Sequence, residues 1–180
     1  MRLRDFGLSI GTITPGPTNS IVDVDGIRVG HAAITTSTIL TGVTAVIVSD
    51  PPRRTFVGRY SVDGGDGMTG LGVIEDFGAL SAPIVFAPAA AIGRVYNGMI
   101  QYGFGVDSGL SEDAGWPPVI VPINDTGVNL PEETLVATRE EHLKVALQSA
   151  DNEVIEGSVG IGAGLVAFGF RGGVGTSSRF

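Results

Sequence analysis

No cysteine occurs in the 180 residues. That excludes disulfides and thiol catalysis, and it leaves the redox compartment open. Histidine is nearly as scarce, with only His31 and His142. Any Ser-His-Asp triad or zinc site has to use one of them. Neither stands in a ligand spacing such as HxxxH, and His142 lies beside Glu140 and Glu141, so surface or capping roles are expected. Positive charge is also short: 11 Lys and Arg against 19 Asp and Glu give a net charge of −8, which makes nucleic acid a poor partner. No apolar run reaches the ~20 residues of a membrane span. The start, Met1-Arg2-Leu3-Arg4-Asp5-Phe6, has no continuous apolar segment behind it and does not read as a signal peptide. A soluble cytoplasmic protein is the expectation.

What the chain has in excess is glycine, 28 of 180 residues, twice the usual ~7%. Aliphatic residues stay abundant, so tight turns and close-packed layers are expected rather than disorder. Residues 1–20 form a turn-rich lead-in. Residues 21–30 read as a hairpin or sharp bend around Asp25-Gly26. The run Thr44 to Val48 reads as a buried strand, and Met68 to Leu80 as a helix with Met68, Leu71, Ile74 and Phe77 on one face. Pro83 to Ala87 is a strand, Ala89 to Tyr102 a helix, and Val119 to Ile123 a strand whose Pro122 argues for an edge or a strand end. A third helix is placed behind a Thr138–Glu141 capping box, with Leu143, Ala146, Leu147 and Ala150 as its stripe. From Val159 to Ala167 apolar residues alternate with Gly160, Gly162 and Gly164, which predicts a strand with something packed close to its glycine face. With no repeat or composition break, the whole is read as one α+β domain over residues 1–180.

Four stretches are candidates for chemistry. Gly162 to Ala167 matches GxGxxA by letter, but it lies in a predicted strand with no helix opening behind it, so a dinucleotide is not expected. Gly64-Gly65-Asp66-Gly67 precedes a helix and either offers backbone N–H groups to a carboxylate or oxyanion, or is a flexible cap with Asp66 as N-cap. Asn124-Asp125-Thr126-Gly127-Val128-Asn129 places amides and a carboxylate after a buried strand, where they suit either a carbonyl-binding pocket or a turn. Thr176-Ser177-Ser178 offers hydroxyls without a histidine to activate them, and a polar strand cap is the favoured reading. A hydroxyl at a freed chain N-terminus would need none, since its own α-amine serves as base.

Several blocks together resemble one family: Arg2-Leu3-Arg4-Asp5 with Gly7 and Ile10-Gly11, Asn19 through His31 (NSIVDVDGIRVGH), Gly67-Met68-Thr69-Gly70 through Ile74-Glu75, Asn124-Asp125 with Asn129, and Glu156 through Arg179 with its GFRGGVGTSSR run. In order and spacing the chain is similar, along essentially its whole length, to the DmpA-type aminopeptidases, which include L-aminopeptidase/D-esterase and β-peptidyl aminopeptidase enzymes. The resemblance implies a self-processing hydrolase with an N-terminal serine nucleophile and a four-layer α/β/β/α sandwich, usually oligomeric. It implies no metal or organic cofactor, and a peptide, amide or ester substrate. In the family the processing serine and an oxyanion-hole asparagine follow the GTSSR block. This chain is therefore expected to be the α portion, with a β chain carrying the nucleophile as its partner. By the same resemblance Asn124 and Asn129 are expected at the catalytic centre, and Asp125, Gly65 and Gly67 against the substrate. The family often has an aromatic where Asn124 stands, so a non-catalytic scaffold for assembly or ligand binding is the alternative.

Overall fold

A computed structural model describes residues 2–50, 53–61, 67–107 and 117–180. Its centre is a four-stranded sheet whose strands lie in the order Arg28–Thr35, Leu40–Ile47, Ile84–Pro88, Val119–Ile123. Strands β1 (Arg28–Thr35) and β2 (Leu40–Ile47) form an antiparallel pair in unbroken register from Arg28↔Ile47 to Thr35↔Leu40. Between them Thr36 Oγ1 accepts the N–H groups of Thr38 (3.3 Å) and Ile39 (3.0 Å), which closes the turn. β5 (Ile84–Pro88) runs antiparallel to β2, and β6 (Val119–Ile123) parallel to β5. The sheet is thus mixed, and the α+β class holds. Among the described residues β6 is an edge strand, one of the two positions Pro122 suits, because a residue without an N–H is tolerated where no further strand needs the donor.

Residues directly opposite in this register share a face. Thr41, Val43, Ala45, Val85, Ala87 and Ile120 point to one side, where α2 (Ile92–Val106) and α4 (Glu140–Gln148) cover them. Val95, Met99, Leu143, Ala146 and Leu147 complete that core, each at most 7% exposed. Full burial of such side chains contributes roughly 1.5–3 kcal/mol apiece. Gly30 admits α4: a Cβ there would lie 2.0 Å from the Ala146 carbonyl oxygen. The outer edge of β1 is occupied, with Val29 and Asp151 exchanging backbone hydrogen bonds (2.9 and 3.2 Å) and Ser149 Oγ accepting the His31 N–H at 3.1 Å.

The opposite face carries Val46, Phe86, Val121 and Ile123, all only half-buried. A short 3-10 helix, Gly160–Gly164, crosses part of it, and a shallow cavity of about 380 Å3 remains over Val46, Phe86, Ile123, Ile161, Leu165 and Val174.

Several expectations are corrected. Of the two readings of residues 21–30 the bend holds, at Asp25-Gly26 with Gly26 at φ +84°, and not the hairpin: the segment before it is a 3-10 turn, Ile21–Asp23, where the Asp23 side chain is taken up by local hydrogen bonds. The helix expected over 68–80 is only α1 (Leu71–Phe77), framed by the left-handed Gly70 and Gly78, and Phe77 faces solvent. Ala79–Leu80 (β4) instead pairs with Thr55–Phe56 (β3). α2 starts later than expected, after a 3-10 turn at Ala89–Ala91, and runs on to Val106. Thr138 does not cap the third helix: it ends an unforeseen one, α3 (Pro131–Ala137), and is fully buried. The N-cap of α4 is Arg139, whose N–H donates to His142 Nδ1 at 3.1 Å, a capping role for that histidine. The glycine strand is overturned too. Residues 160–164 are 3-10, and within the segment Val166–Ala167 (β7) alone joins a ladder, pairing with Phe170–Arg171 (β8) in a small hairpin.

Candidate functional site

The glycine segment is what brings distant parts of the chain together. A Cβ at Gly160 would lie 2.4 Å from Thr44 Oγ1 and 2.8 Å from His31 Nδ1. One at Gly162 would lie 2.5 Å from the Val174 nitrogen, and one at Gly164 2.8 Å from the Leu40 carbonyl and 3.0 Å from Asn129 Nδ2. The close approach read from the sequence is therefore real, although the backbone that makes it is a 3-10 coil. Thr44 Oγ1 accepts the Ile161 N–H at 3.2 Å and meets His31 Nδ1 at 3.0 Å. Burial lowers the pKa of His31, outweighing a raising contribution from the backbone at Ile155.

Beside this segment the polar turn after β6 divides into an inner and an outer part. Asp125 and Asn129 are 2% and 5% exposed. Asn129 Oδ1 accepts the Leu40 N–H at 2.8 Å, and its Nδ2 donates to the Leu40 carbonyl (3.0 Å), the Asp125 carbonyl (3.2 Å) and Asp125 Oδ2 (3.0 Å). Asn129 thus ties the turn to β2, and the Asp125 carboxylate holds the Asn129 amide in place. Asn124 is exposed. Its Oδ1 accepts from Thr126 N–H (3.0 Å) and Thr126 hydroxyl (2.7 Å), an Asx turn that leaves Nδ2 without a partner among the described residues. A fixed amide with free N–H groups at a strand end is suited to donate to a substrate carbonyl or a developing oxyanion.

Gly67 reaches the same end of β6. With φ +94°, it would place a Cβ 3.5 Å from Ile92 Cδ1 and 3.9 Å from Pro122 Cγ. The chain after it is pinned along the strand: Thr69 Oγ1 donates to the Pro118 carbonyl at 2.5 Å and accepts the Ile120 N–H at 2.9 Å. Gly65, with Gly64 and Asp66, lies outside the described residues. On the other flank Val166 of β7 rests on Gly127, where a Cβ would lie 3.0 Å from Val166 Cγ2. Asn124, the Asp125–Asn129 pair and Gly67 are therefore gathered at one end of the sheet. Leu40, whose backbone holds Asn129, was missed, since its only contribution is main-chain polarity.

Thr176 and Ser178 act elsewhere. Thr176 Oγ1 accepts the Ile21 N–H at 2.7 Å, and Ser178 Oγ donates to Asp23 Oδ2 at 2.5 Å while accepting the Gly16 N–H at 3.2 Å. These hydroxyls clasp the C-terminal tail to the N-terminal lead-in. The histidines stay apart, His31 on β1 and His142 on α4. Among the described residues no helix is long and apolar enough to cross a membrane.

The chain is 31% identical over 196 residues to the β-peptidyl aminopeptidase BapA of Sphingosinicella xenopeptidilytica, covering 99% of itself and 46% of that protein. It spans about half the length of the curated relatives it matches. Among solved structures it superimposes on a Burkholderia sp. β-aminopeptidase with a TM-score of 0.86 at 32% identity, covering 99% of this chain and 52% of that one. The L-aminopeptidase D-Ala-esterase/amidase of Ochrobactrum anthropi, described as a serine aminopeptidase with a variant Ntn-hydrolase fold, gives 0.82 at 28% identity, covering 94% and 50%. Residues 19–180 match the family description directly. The end-to-end match, over a shared arrangement of sheet and helices, shows that the chain belongs to peptidase family S58.

Proposed function

We propose that the chain is the α portion of a serine aminopeptidase or amidase, forming one domain with a second segment and releasing N-terminal residues from peptides, amides or esters. The observation that carries this reading is the match of 99% of the chain to 46% of proteins named as aminopeptidases. The half-buried apolar face supports it, because a second sheet with its own helices laid there would complete a four-layer α/β/β/α sandwich. In this reading the nucleophile is a serine freed by autoproteolysis at the start of a β chain, with its own α-amine as base. It attacks the substrate acyl carbon to form an ester, which water then hydrolyses. Asn124 Nδ2 faces the carbonyl oxygen as charge develops there. Asn129 and Asp125, named from the family resemblance as catalytic and substrate-binding, act through position, holding the turn that aims Asn124. Gly65 and Gly67 border the substrate backbone. The assembled protein is cytoplasmic and oligomeric.

Intact-mass analysis of the protein purified from its natural source, with an assay on amino-acid amides, tests this. A companion polypeptide beginning with serine or threonine, together with amide hydrolysis, is expected. No companion and untouched amides would sink the enzyme reading. A companion present without any hydrolysis would favour the non-catalytic scaffold, which Asn124 in place of the family's usual aromatic supports. Asn124→Ala is expected to lower kcat/KM by roughly 10²-fold, the scale of losing one oxyanion donor, with little change in melting temperature.

A further inference from the structure

The N-terminal arm and the C-terminal tail enclose a cavity of about 550 Å3, separate from the Asn124 turn, whose charged lining is Arg2, Arg4, Arg179 and Glu156. Three guanidiniums meet one carboxylate, and that carboxylate is already committed: Glu156 Oε2 pairs with Arg2 Nε, and Oε1 accepts the Thr176 N–H at 3.0 Å. Arg4 and Arg179 form no ion pair with any described residue. Neutral oxygens hold them instead. Arg4 Nη2 donates to the Thr18 carbonyl at 2.5 Å, and Arg179 Nη2 to the Ile10 carbonyl at 3.1 Å. Arg179 Nη1 donates to Asn19 Oδ1 and to the Ser178 carbonyl, both at 2.6 Å. The acids nearby are occupied too, Asp23 by Thr18, Ser20 and Ser178, and Asp5 by the Arg2 N–H.

Two exposed guanidiniums oriented by neutral oxygens thus line one cavity, and its single carboxylate, Glu156, is taken by Arg2 and the Thr176 N–H. Carbonyl dipoles orient a guanidinium without neutralising it. The remaining N–H groups of the fork match a two-oxygen anion. Ser9 and Ser177 hydroxyls line the same cavity and add neutral donors. Its volume lies within the range of small-ligand pockets. We propose that this arm–tail cavity binds an oxyanion, a carboxylate or phosphate group, on Arg4 and Arg179. The bound anion would lock the arm to the tail.

Titration of the 15N-labelled chain tests it, at ionic strength held constant with sodium chloride. The probes are inorganic phosphate, succinate, and one short peptide with either a free or an amidated C-terminus. Saturable shifts are expected at the Gly175 to Arg179 amides and at the Arg4 and Arg179 Nε–H signals. Phosphate and succinate acting alone would identify a free anion as the ligand. A preference for the free-carboxylate peptide over its amide would identify a chain terminus. Arg4→Gln is the deciding variant, because the Thr18 carbonyl keeps its bond from Arg2 Nη1 (2.9 Å) and the arm stays in place. Its affinity is expected to fall about tenfold, the equivalent of one charge-assisted hydrogen bond. Arg179→Lys, which keeps the charge and loses the fork, is expected to weaken binding as well. Shifts that rise linearly and equally with chloride, or full affinity in Arg4→Gln, would overturn the proposal.

Discussion

Asp23 collects four hydrogen bonds, from the Thr18 N–H (3.0 Å) and hydroxyl (2.6 Å), the Ser20 N–H (3.2 Å) and the Ser178 hydroxyl (2.5 Å). Burial works to raise its pKa, but these donors outweigh it and hold the carboxyl well below the usual carboxylate range. A depressed folded value contributes stability that is fully present above the unfolded value of about 3.9, and that is lost as pH falls through the folded one. The tail should therefore stay clasped at pH 4. Asp23→Asn should free it at neutral pH, read as faster carboxypeptidase trimming from Phe180; equal protection in both proteins would contradict the clasp. His31 has the opposite chemistry but the same sign. Its lowered pKa means that the unfolded chain takes up the proton first, so stability falls as pH drops below about 6.5. His142 shifts in the same direction, with burial as the main cause. Urea midpoints at pH 7 and pH 5.5 should differ less in His31→Gln than in the parent. An unchanged difference would assign the effect to His142.

At the scale of elements the Gly160–Gly164 3-10 segment packs between sheet and site, and it also shows the limit of sequence patterning. Glycine at every second position mimics a strand because it has no side chain to carry a helical period. What remained legible was the consequence, a backbone that must be approached closely. Gly160 adopts φ +48° with Thr44 and His31 against it. Gly160→Ala should cost about 3 kcal/mol, combining overpacking with left-handed strain. Gly105→Ala in α2, where nothing lies within 4 Å, should gain up to ~1 kcal/mol from helix propensity alone. Denaturant melts of the two variants check both signs, and a neutral Gly160→Ala would mean that the coil is free to move away. Helices with an apolar stripe and strands of β-branched residues were readable from local pattern. α3 was not read, although Pro131 with Glu132 and Glu133 behind it is a legible helix start. At the site, the cluster of Asn124, Asp125 and Asn129 was visible as polarity after a buried strand. Its division into an outward Asn124 and an inward pair was not, because the partner that decides it, Leu40, lies 89 residues away in sequence.

For the whole molecule the deciding asymmetry is a sheet with one sealed face and one open face. The α2–α4 side is closed by side chains at most 7% exposed, whereas Val46, Phe86, Val121 and Ile123 on the other side stay half-exposed around a shallow cavity. A contiguous apolar patch of this kind marks an interaction surface rather than a finished exterior. If the second half of the proposed hydrolase lies there, the isolated chain should bind the dye ANS while keeping a cooperative unfolding transition. Phe86→Lys separates the two roles of that face. In the isolated chain the lysine stem can lie along the surface with its ammonium in water, so the loss should stay below about 1.5 kcal/mol. In the assembled protein the same charge would be buried unpaired between two sheets, and the companion polypeptide should no longer copurify. A loss of more than about 3 kcal/mol in the isolated chain, the cost of truncating a fully buried Phe, together with no ANS binding, would mean that the chain seals this face by itself and that the second sheet has to sit elsewhere.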